Sequence, residues 1–236
     1  MSAFFYGVSL QWKLDIRSKS LLITCYLVPL LFFAIMGGIF TSIMPDSKNT
    51  LIQSMTVMGV SMGALIGLPP SLAETYGRDI KKMYQSNGVP LYFGLVSMVL
   101  SAFVHLFLMS VLLFLAAPLF FDANVPENIP LYFGSLAVFI VVSLSLGSVL
   151  GLACKNQAKL TMISQIFFLP SIMLSGIMFP VDFLPKVLEI AGKIFPASWG
   201  YLFMVDYQFE NLWPLLWIFL TAILICVFLI KKMKTE

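Results

Sequence analysis

The fifteen residues from Ser175 to Glu189 read SGIMFPVDFLPKVLE and separate two long apolar runs. The first apolar run stops at Pro180, a short amphipathic piece follows, and the chain breaks again at Pro196. Proline removes a backbone donor and clashes with the preceding helical turn, so one membrane helix cannot continue through this stretch. The pattern predicts a re-entrant or interface-bound helical hairpin over residues 180–196. Backbone of this kind near a membrane lines a cavity or packs against protein.

The composition of the whole chain is that of an integral membrane protein. Of 236 residues, 60% are hydrophobic and 11% are charged, and the mean hydropathy is +0.97. An apolar stretch of ~20 residues can cross the hydrocarbon layer as a helix. The chain offers six such spans, at 21–40, 55–72, 91–120, 131–152, 162–179 and 212–230. The third is longer than a perpendicular helix needs, which implies tilt or a break near Pro118. We expect an all-α integral membrane fold, with residues 1–236 forming a single transmembrane domain.

The N-terminal residues 1–20 lack the apolar core and small-residue cleavage site of a secretory signal, so we expect them to be retained. Apolar residues alternate there with Lys13, Arg17 and Lys19. This mixture favours a helix lying in the membrane interface. A short solvated lead-in is the alternative.

The basic residues predict the orientation in the cell membrane. Lys and Arg concentrate at both chain ends and after the second and fourth spans: Lys13, Arg17, Lys19, Arg78, Lys81, Lys82, Lys155, Lys159, Lys231, Lys232 and Lys234. The opposite side holds Lys48, Lys186 and Lys193. The positive-inside rule then puts both termini of this multi-pass chain in the cytoplasm. Because the basic residues follow topology, the net charge of +3 indicates no nucleic-acid partner.

The six spans contain no Asp, Glu, Lys or Arg. Ion-coupled carriers generally keep such groups in the membrane, so the absence argues against a self-powered carrier. It also argues against an intramembrane hydrolase, which needs a nucleophile and base or clustered metal ligands. No G-x-x-x-x-G-K-[ST] phosphate loop occurs, so any ATP hydrolysis belongs to a separate chain. The cysteines are too scattered for a metal site; they are Cys25, Cys154 and Cys226.

His105 in the third span is the only histidine, and Ser101 lies one turn earlier. One interpretation places both in a polar patch of a translocation path. The other is a neutral imidazole that hydrogen-bonds to a neighbouring helix.

Small residues recur every four positions in two spans. The second span carries Gly59, Gly63 and Gly67, and the fourth carries Ser143, Gly147 and Gly151. Residues four apart share a helix face, so each stripe lets another backbone approach closely. The partner helix could belong to this chain or to a second copy, and we expect packing within the bundle.

The segment 74–86, between the second and third spans, predicts a short amphipathic cytoplasmic helix. Glu74 pairs with Arg78 at i+4, and Asp79 with Lys82 at i+3. Apolar Ile80, Met83 and Tyr84 recur at helical spacing on another face. An ordinary surface helix has this pattern, and so does a lever that receives force from a soluble partner.

Two motifs carry a family resemblance. The first is E-x-x-G, followed by basic residues and a proline before the third span, at Glu74, Gly77, Lys81, Lys82 and Pro90. The second is S-G-x-x-F-P, then L-P and a further proline, at Ser175, Gly176, Phe179, Pro180, Leu184, Pro185 and Pro196. With these motifs the chain resembles, over nearly its whole length, the permease subunits of type-2 ATP-binding-cassette (ABC) transporters. Thr75 and Tyr76 stand where the family usually has basic residues.

The resemblance implies a role for each segment. Residues 1–20 would be the interfacial connecting helix and 74–86 the coupling helix, which contacts the ATPase through Glu74, Thr75, Tyr76, Gly77, Arg78, Lys81, Lys82 and Tyr84. The residues of the second motif would form an extracellular gate. Two copies of the permease, or this chain and a close relative, would pair in the bilayer with two cytoplasmic ATPase subunits. Those subunits would bind ATP and Mg, and this chain would have no cofactor, metal or catalytic site of its own.

The predicted function is the transmembrane part of an ATP-driven exporter. Its uncharged spans suit a hydrophobic or amphipathic cargo such as a peptide, a lipid-linked molecule or a drug. The alternative is a membrane-embedded structural or immunity protein that binds a toxin or partner without transporting it.

Overall fold

The computed structural model describes residues 3–77, 83–84, 86–178 and 181–235, and all regular structure in these ranges is helical. The helices are α1 (Ala3–Arg17), α2 (Lys19–Leu22), α3 (Val28–Ile43), α4 (Leu51–Met62), α5 (Leu68–Gly77), α6 (Leu91–Phe121), α7 (Ile129–Ala153), α8 (Gln157–Met173), α9 (Lys186–Gly192), α10 (Pro196–Asp206) and α11 (Phe209–Thr235). Two π-helical turns, Ile23–Leu27 and Gly63–Gly67, join α2 to α3 and α4 to α5. Two 3-10 turns are Pro45–Asn49 and Val181–Phe183.

In the described part of the chain, five helical segments are long and apolar enough to cross a membrane. They are Ile23–Ile43, Leu51–Gly77, Leu91–Phe121, Ile129–Ala153 and Phe209–Met233. They match the first four and the last of the expected spans, which confirms an all-helical, multi-pass membrane protein. The expected fifth span falls on α8, which has 17 residues and ends at Met173. A crossing usually takes ~20 residues, so the fifth expected span, and with it the total of six, stays a prediction.

The long helix α6 is continuous at Pro118. Its 31 residues run through Pro118 to Phe121 without interruption. Pro118 lies in the last turn, so its helix-breaking effect changes little of the helix. Of the two expectations for this long span, a break near Pro118 is wrong, and tilt remains.

The second long segment, Leu51–Gly77, lies at the centre of the bundle, with 83% of its most apolar window buried. The small-residue stripe of α7 packs directly on its backbone. A Cβ at Gly147 would lie 2.0 Å from the carbonyl oxygen of Ala64, and one at Gly151 would lie 2.9 Å from that of Pro69. Any larger residue would separate the two helices. This stripe therefore packs within the bundle, as expected.

The stripe of the central segment faces other neighbours. A Cβ at Gly63 would lie 2.2 Å from Cδ2 of Leu106 in α6, and one at Gly67 would lie 3.3 Å from Sγ of Cys25. The α7 stripe therefore packs on the backbone of the central segment, whereas the stripe of the central segment receives side chains of α6 and of the first span. By contrast, α11 is only 17% buried in its apolar window, which leaves most of its surface for lipid.

The helices alternate in direction, so the bundle has two ends. At one end the C-terminus of α5 meets the start of α6, and α1 lies along the first half of α6, where a Cβ at Gly7 would touch the ring of Phe93. At the other end, the side-chain amide of Asn124 donates to the side-chain oxygen of Asn49 at 2.6 Å. We call these the α1 end and the distal end.

Candidate coupling and translocation site

The segment expected to receive force from the ATPase is attached to α6 by two tyrosines. The Tyr76 hydroxyl donates to the backbone carbonyl of Leu91, the first residue of α6, at 2.5 Å. A Cβ at Gly94 would lie 2.7 Å from the ring of Tyr84 and 3.1 Å from the Tyr76 hydroxyl. Both rings therefore rest on the glycine face at the start of α6. Movement of either tyrosine must move this helix or break these contacts.

Of the other expected coupling residues, one is buried and two are exposed to solvent. Thr75 is buried, and its hydroxyl donates to the Ser71 carbonyl at 2.9 Å. Glu74 is exposed and borders a polar cavity of about 340 Å³ together with Gln157. Gly77 is exposed, and a Cβ there would meet no atom of a described residue within 4 Å. Packing against the described residues therefore gives no reason for a glycine at this position.

Three of the expected coupling residues, Arg78, Lys81 and Lys82, lie outside the described residues. The same holds for two of the expected gate residues, Phe179 and Pro180. Their roles stay predictions.

The remaining gate residues shape the turn after α8. The Ser175 hydroxyl is buried and donates to the Ile172 carbonyl at 2.9 Å. Gly176 has φ +83°, a left-handed conformation that favours glycine, and a Cβ there would also lie 2.8 Å from Val181. The Leu184 N–H donates to the Val181 carbonyl at 2.9 Å. This motif therefore reverses the chain direction after α8.

Proline begins each of the next two helices. Pro185 precedes α9, and Pro196 is the first residue of α10, a position where the missing N–H does no harm. Between them, α9 lies against the end of α8, because a Cβ at Gly192 would come within 2.3 Å of the Leu174 carbonyl oxygen. The Ser198 hydroxyl and the Trp199 indole N–H donate to the Gly192 and Lys193 carbonyls at 2.7 and 2.6 Å. The sequence motif did not identify these last three contacts.

On the surface of α9, Lys193 donates to the Glu189 carboxylate at 2.9 Å. This hydrogen bond, with the charge of Lys193, lowers the pKa of Glu189. The pair is solvent-exposed and forms within one helical turn.

The two expected path residues, Ser101 and His105, are each 1% exposed and are covered by α1. The Ser101 hydroxyl donates to the Asp15 carboxylate at 2.5 Å, and the Gln11 amide donates to the other Asp15 oxygen at 2.8 Å. The Trp12 ring stacks on the His105 imidazole with centroids 4.1 Å apart. We call this group, together with Tyr26, the polar joint.

Tyr26 connects the polar joint to the first long helix. Its hydroxyl lies 2.8 Å from Nδ1 of His105, and its ring meets the imidazole edge-on. Nε2 of His105 is buried without a partner among the described residues, beside a cavity of about 20 Å³. A space of this size holds about one water molecule. The contacts favour the second interpretation of His105, an imidazole held by neighbouring helices, while its place in a transport path stays a prediction.

Asp15 was not identified from the sequence, although it brings a carboxylate against the third span. Its signal was present in α1, where Gln11, Trp12 and Asp15 lie on one helical face. Trp12, on the same helix, packs inward on His105. The six spans predicted from the sequence contain no Asp, Glu, Lys or Arg, but Asp15 of α1 places a carboxylate against one of them.

Comparison with known proteins agrees with this architecture. The sequence profile of one family, described as the ABC-2 type transporter, matches residues 2–209. No curated protein matches the chain closely enough to be recognised as a relative. The match extends from α1 to the start of α11, so it includes the tyrosines Tyr76 and Tyr84 and the turn after α8. The resemblance to type-2 ABC permeases is therefore confirmed, and the chain belongs to the ABC-2 type transporter family as a transmembrane component of an ABC transporter.

Proposed function

We propose that this chain is the permease of an exporter that moves a hydrophobic or amphipathic molecule out of the cytoplasm. Membership of the family implies an ABC ATPase partner in general terms. Within the proposal, two ATPase copies drive two paired permeases, six helices cross the cell membrane, and both termini lie in the cytoplasm. The uncharged spans support an apolar or amphipathic cargo, because they give little stabilisation to an ionic one.

The observation that carries the proposal is the attachment of the 74–86 segment to α6. Glu74 and Gly77 are exposed, whereas Tyr76 and Tyr84 pack on Gly94. One side of the segment can therefore contact a soluble ATPase while the other holds a long helix. This arrangement supports transfer of ATPase motion to the bundle through the start of α6.

A matched pair of glycine substitutions tests this role. Gly77 and Gly134 are both exposed, and a Cβ at either would meet nothing within 4 Å. We expect Gly77→Leu to abolish cargo-stimulated ATP hydrolysis and export in vesicles that contain the permease with its ATPase. The control Gly134→Leu should retain both activities, because Gly134 lies in α7 at the distal end. Both variants should keep the thermal stability of the parent.

Two results would count against the proposal. Wild-type coupling in Gly77→Leu would mean that this segment does not face the ATPase. A complex that hydrolyses ATP but moves no peptide, lipid-linked or drug-like probe would favour the immunity or structural alternative.

A further inference from the structure

The distal end contains a cavity of about 500 Å³, which we call the distal cavity. Its walls come from the end of α3, the Pro45–Asn49 turn, the start of α4, the stretch after Gly176 and α10. Phe40, Leu51 and Ile177 give it apolar surface. A cavity of this volume suits a small molecule or a few residues of a peptide.

Polar groups at the start of α4 face this cavity without partners. Ser54 is only 5% exposed and lines the cavity, and its hydroxyl makes no hydrogen bond to any described residue. The Ser47 hydroxyl is buried and is likewise unpartnered in the described part of the chain. A fully enclosed hydroxyl without a partner, as at Ser47, destabilises a fold, so native proteins rarely keep one without a reason. The Ser54 oxygen is not fully enclosed and lies at the cavity wall. A ligand in the cavity could supply the missing bonds.

The helix terminus adds further donors. α4 has 12 residues and begins at the cavity, and its N-cap Thr50 makes no side-chain hydrogen bond. The first N–H groups of a helix have no intrahelical acceptor. This terminus reaches the cavity at Thr50 and Leu51, beside Ser54.

An acceptor-only group lies at the rim of the same cavity. The Asp46 carboxylate is exposed and lines it, and no Lys or Arg is among the described lining residues. A carboxylate at this position disfavours an anionic ligand and accepts hydrogen bonds from N–H groups. The ligand that fits both sides is uncharged and carries donors as well as acceptors. A peptide backbone has both groups, whereas an ester chain has acceptors alone.

We propose that the distal cavity binds an uncharged, hydrophobic peptide segment through its backbone amides. This inference rests on the proposed function and narrows its cargo to peptides. The Ser54 hydroxyl and the first turn of α4 donate to peptide carbonyls, and Asp46 accepts from a peptide N–H. Apolar side chains of the peptide lie against Phe40 and Ile177.

Binding is tested with the permease–ATPase complex in lipid nanodiscs and a fluorescent hydrophobic heptapeptide that is acetylated and amidated at its ends. We expect Ser54→Ala to weaken binding about fivefold, which corresponds to one ordinary hydrogen bond. Ser42→Ala is the matched control, because the Ser42 hydroxyl already donates to the Gly38 carbonyl and does not line the cavity. Ile43→Trp should also weaken binding, since Ile43 is exposed on the cavity wall and can be enlarged without disturbing the core.

Two further probes with the same fluorophore test the chemistry. A depsipeptide with esters in place of amides should bind more weakly than the peptide, and so should an alkyl quaternary ammonium. Equal binding of peptide and depsipeptide, tighter binding of the ammonium probe, or unchanged binding in Ser54→Ala would each overturn the inference. Equal signal in permease-free nanodiscs, or a cavity covered by a second permease copy, would do the same.

ATP-driven transport separates this inference from the proposed function. If the peptide is exported but Ser54→Ala binds it as tightly as the parent does, the proposed function is supported and the peptide site in the distal cavity is contradicted. Ser54-dependent binding without ATP-driven export of any probe would support the site and remove the exporter.

Discussion

The polar joint and the distal cavity both contain a buried serine on a long helix, but the two hydroxyls have different surroundings. Ser101 is 1% exposed and donates to the Asp15 carboxylate. Ser54 is 5% exposed, and its hydroxyl has no partner among the described residues. A matched buried hydroxyl contributes to stability, whereas an unmatched one is available to a ligand. The same residue type therefore holds the fold together at one end and is free to bind at the other.

The largest effect is expected for His105→Ala, which removes the centre of the polar joint. The substitution loses stacking on Trp12, the hydrogen bond with Tyr26 and the volume of a ring that is 1% exposed. We expect the free energy of unfolding to fall by about 3 kcal/mol. Steric trapping in bicelles measures this value. A loss below about 1 kcal/mol would mean that α1 is not held by this imidazole.

A smaller effect is expected for Ser101→Ala, which leaves Asp15 buried with the Gln11 amide as its remaining hydrogen-bond partner among the described residues. Hydrogen bonds to charged groups are stronger than neutral ones, but interhelical bonds in membranes are modest. We expect a loss of about 1.5 kcal/mol. Ser110→Ala is the control, because the equally buried Ser110 hydroxyl bonds to the Leu106 carbonyl of its own helix. Equal stability of the two variants would contradict the interpretation of the joint.

These two regions also show what the sequence could predict. The apolar runs, the glycine stripes and the proline-bounded hairpin are local patterns, and they identified the helical class and the packing face of Gly147. The polar joint was not predictable in this way, because Asp15 and Ser101 are 86 positions apart. Pattern analysis can place Asp15 on a helical face, but it cannot say which helix covers that face.

The distal cavity was missed for a related reason. Its walls come from three separate stretches of the chain, and Ser54 looks like an ordinary small residue of a membrane span. The absence of a partner for its hydroxyl is visible only when every neighbour has a position. The sequence could suggest a role for the 74–86 segment because its pattern is contiguous, and that role stays a prediction. The contacts of Tyr76 and Tyr84 with Gly94 are visible only in the fold.

Ser54→Ala should change the free energy of unfolding less than Ser101→Ala does. Because the Ser54 hydroxyl makes no bond to the described protein, its removal loses nothing and relieves a buried polar group. We expect a change within about 0.5 kcal/mol of the parent, in either direction. The same steric-trapping measurement without ligand tests it. If Ser54→Ala lowered the free energy of unfolding as much as Ser101→Ala does, the Ser54 hydroxyl would have to make a stabilising contact, and the two serines would not differ as described.

The smallest effect belongs to a third kind of polar contact, the exposed pair of Glu189 and Lys193 on α9. The hydrogen bond and charge of Lys193 lower the pKa of Glu189 in the folded protein. A carboxyl with a lowered folded pKa contributes stability above its unfolded pKa and loses it as the pH falls through the folded one. The contribution should therefore be present at neutral pH and disappear below about pH 4.

Thermal melts of the parent and of Glu189→Gln measure this contribution. The two melting curves should differ slightly at pH 7 and coincide at low pH, because solvent and salt screen an exposed pair. Lys186→Gln should give a smaller difference than Glu189→Gln, since the charge of Lys186 contributes less than that of Lys193 to lowering the pKa of Glu189. A pH-independent difference between Glu189→Gln and the parent would show that Glu189 acts through packing. In that event, the Glu189 side chain would contribute to stability through its contacts and not through its charge.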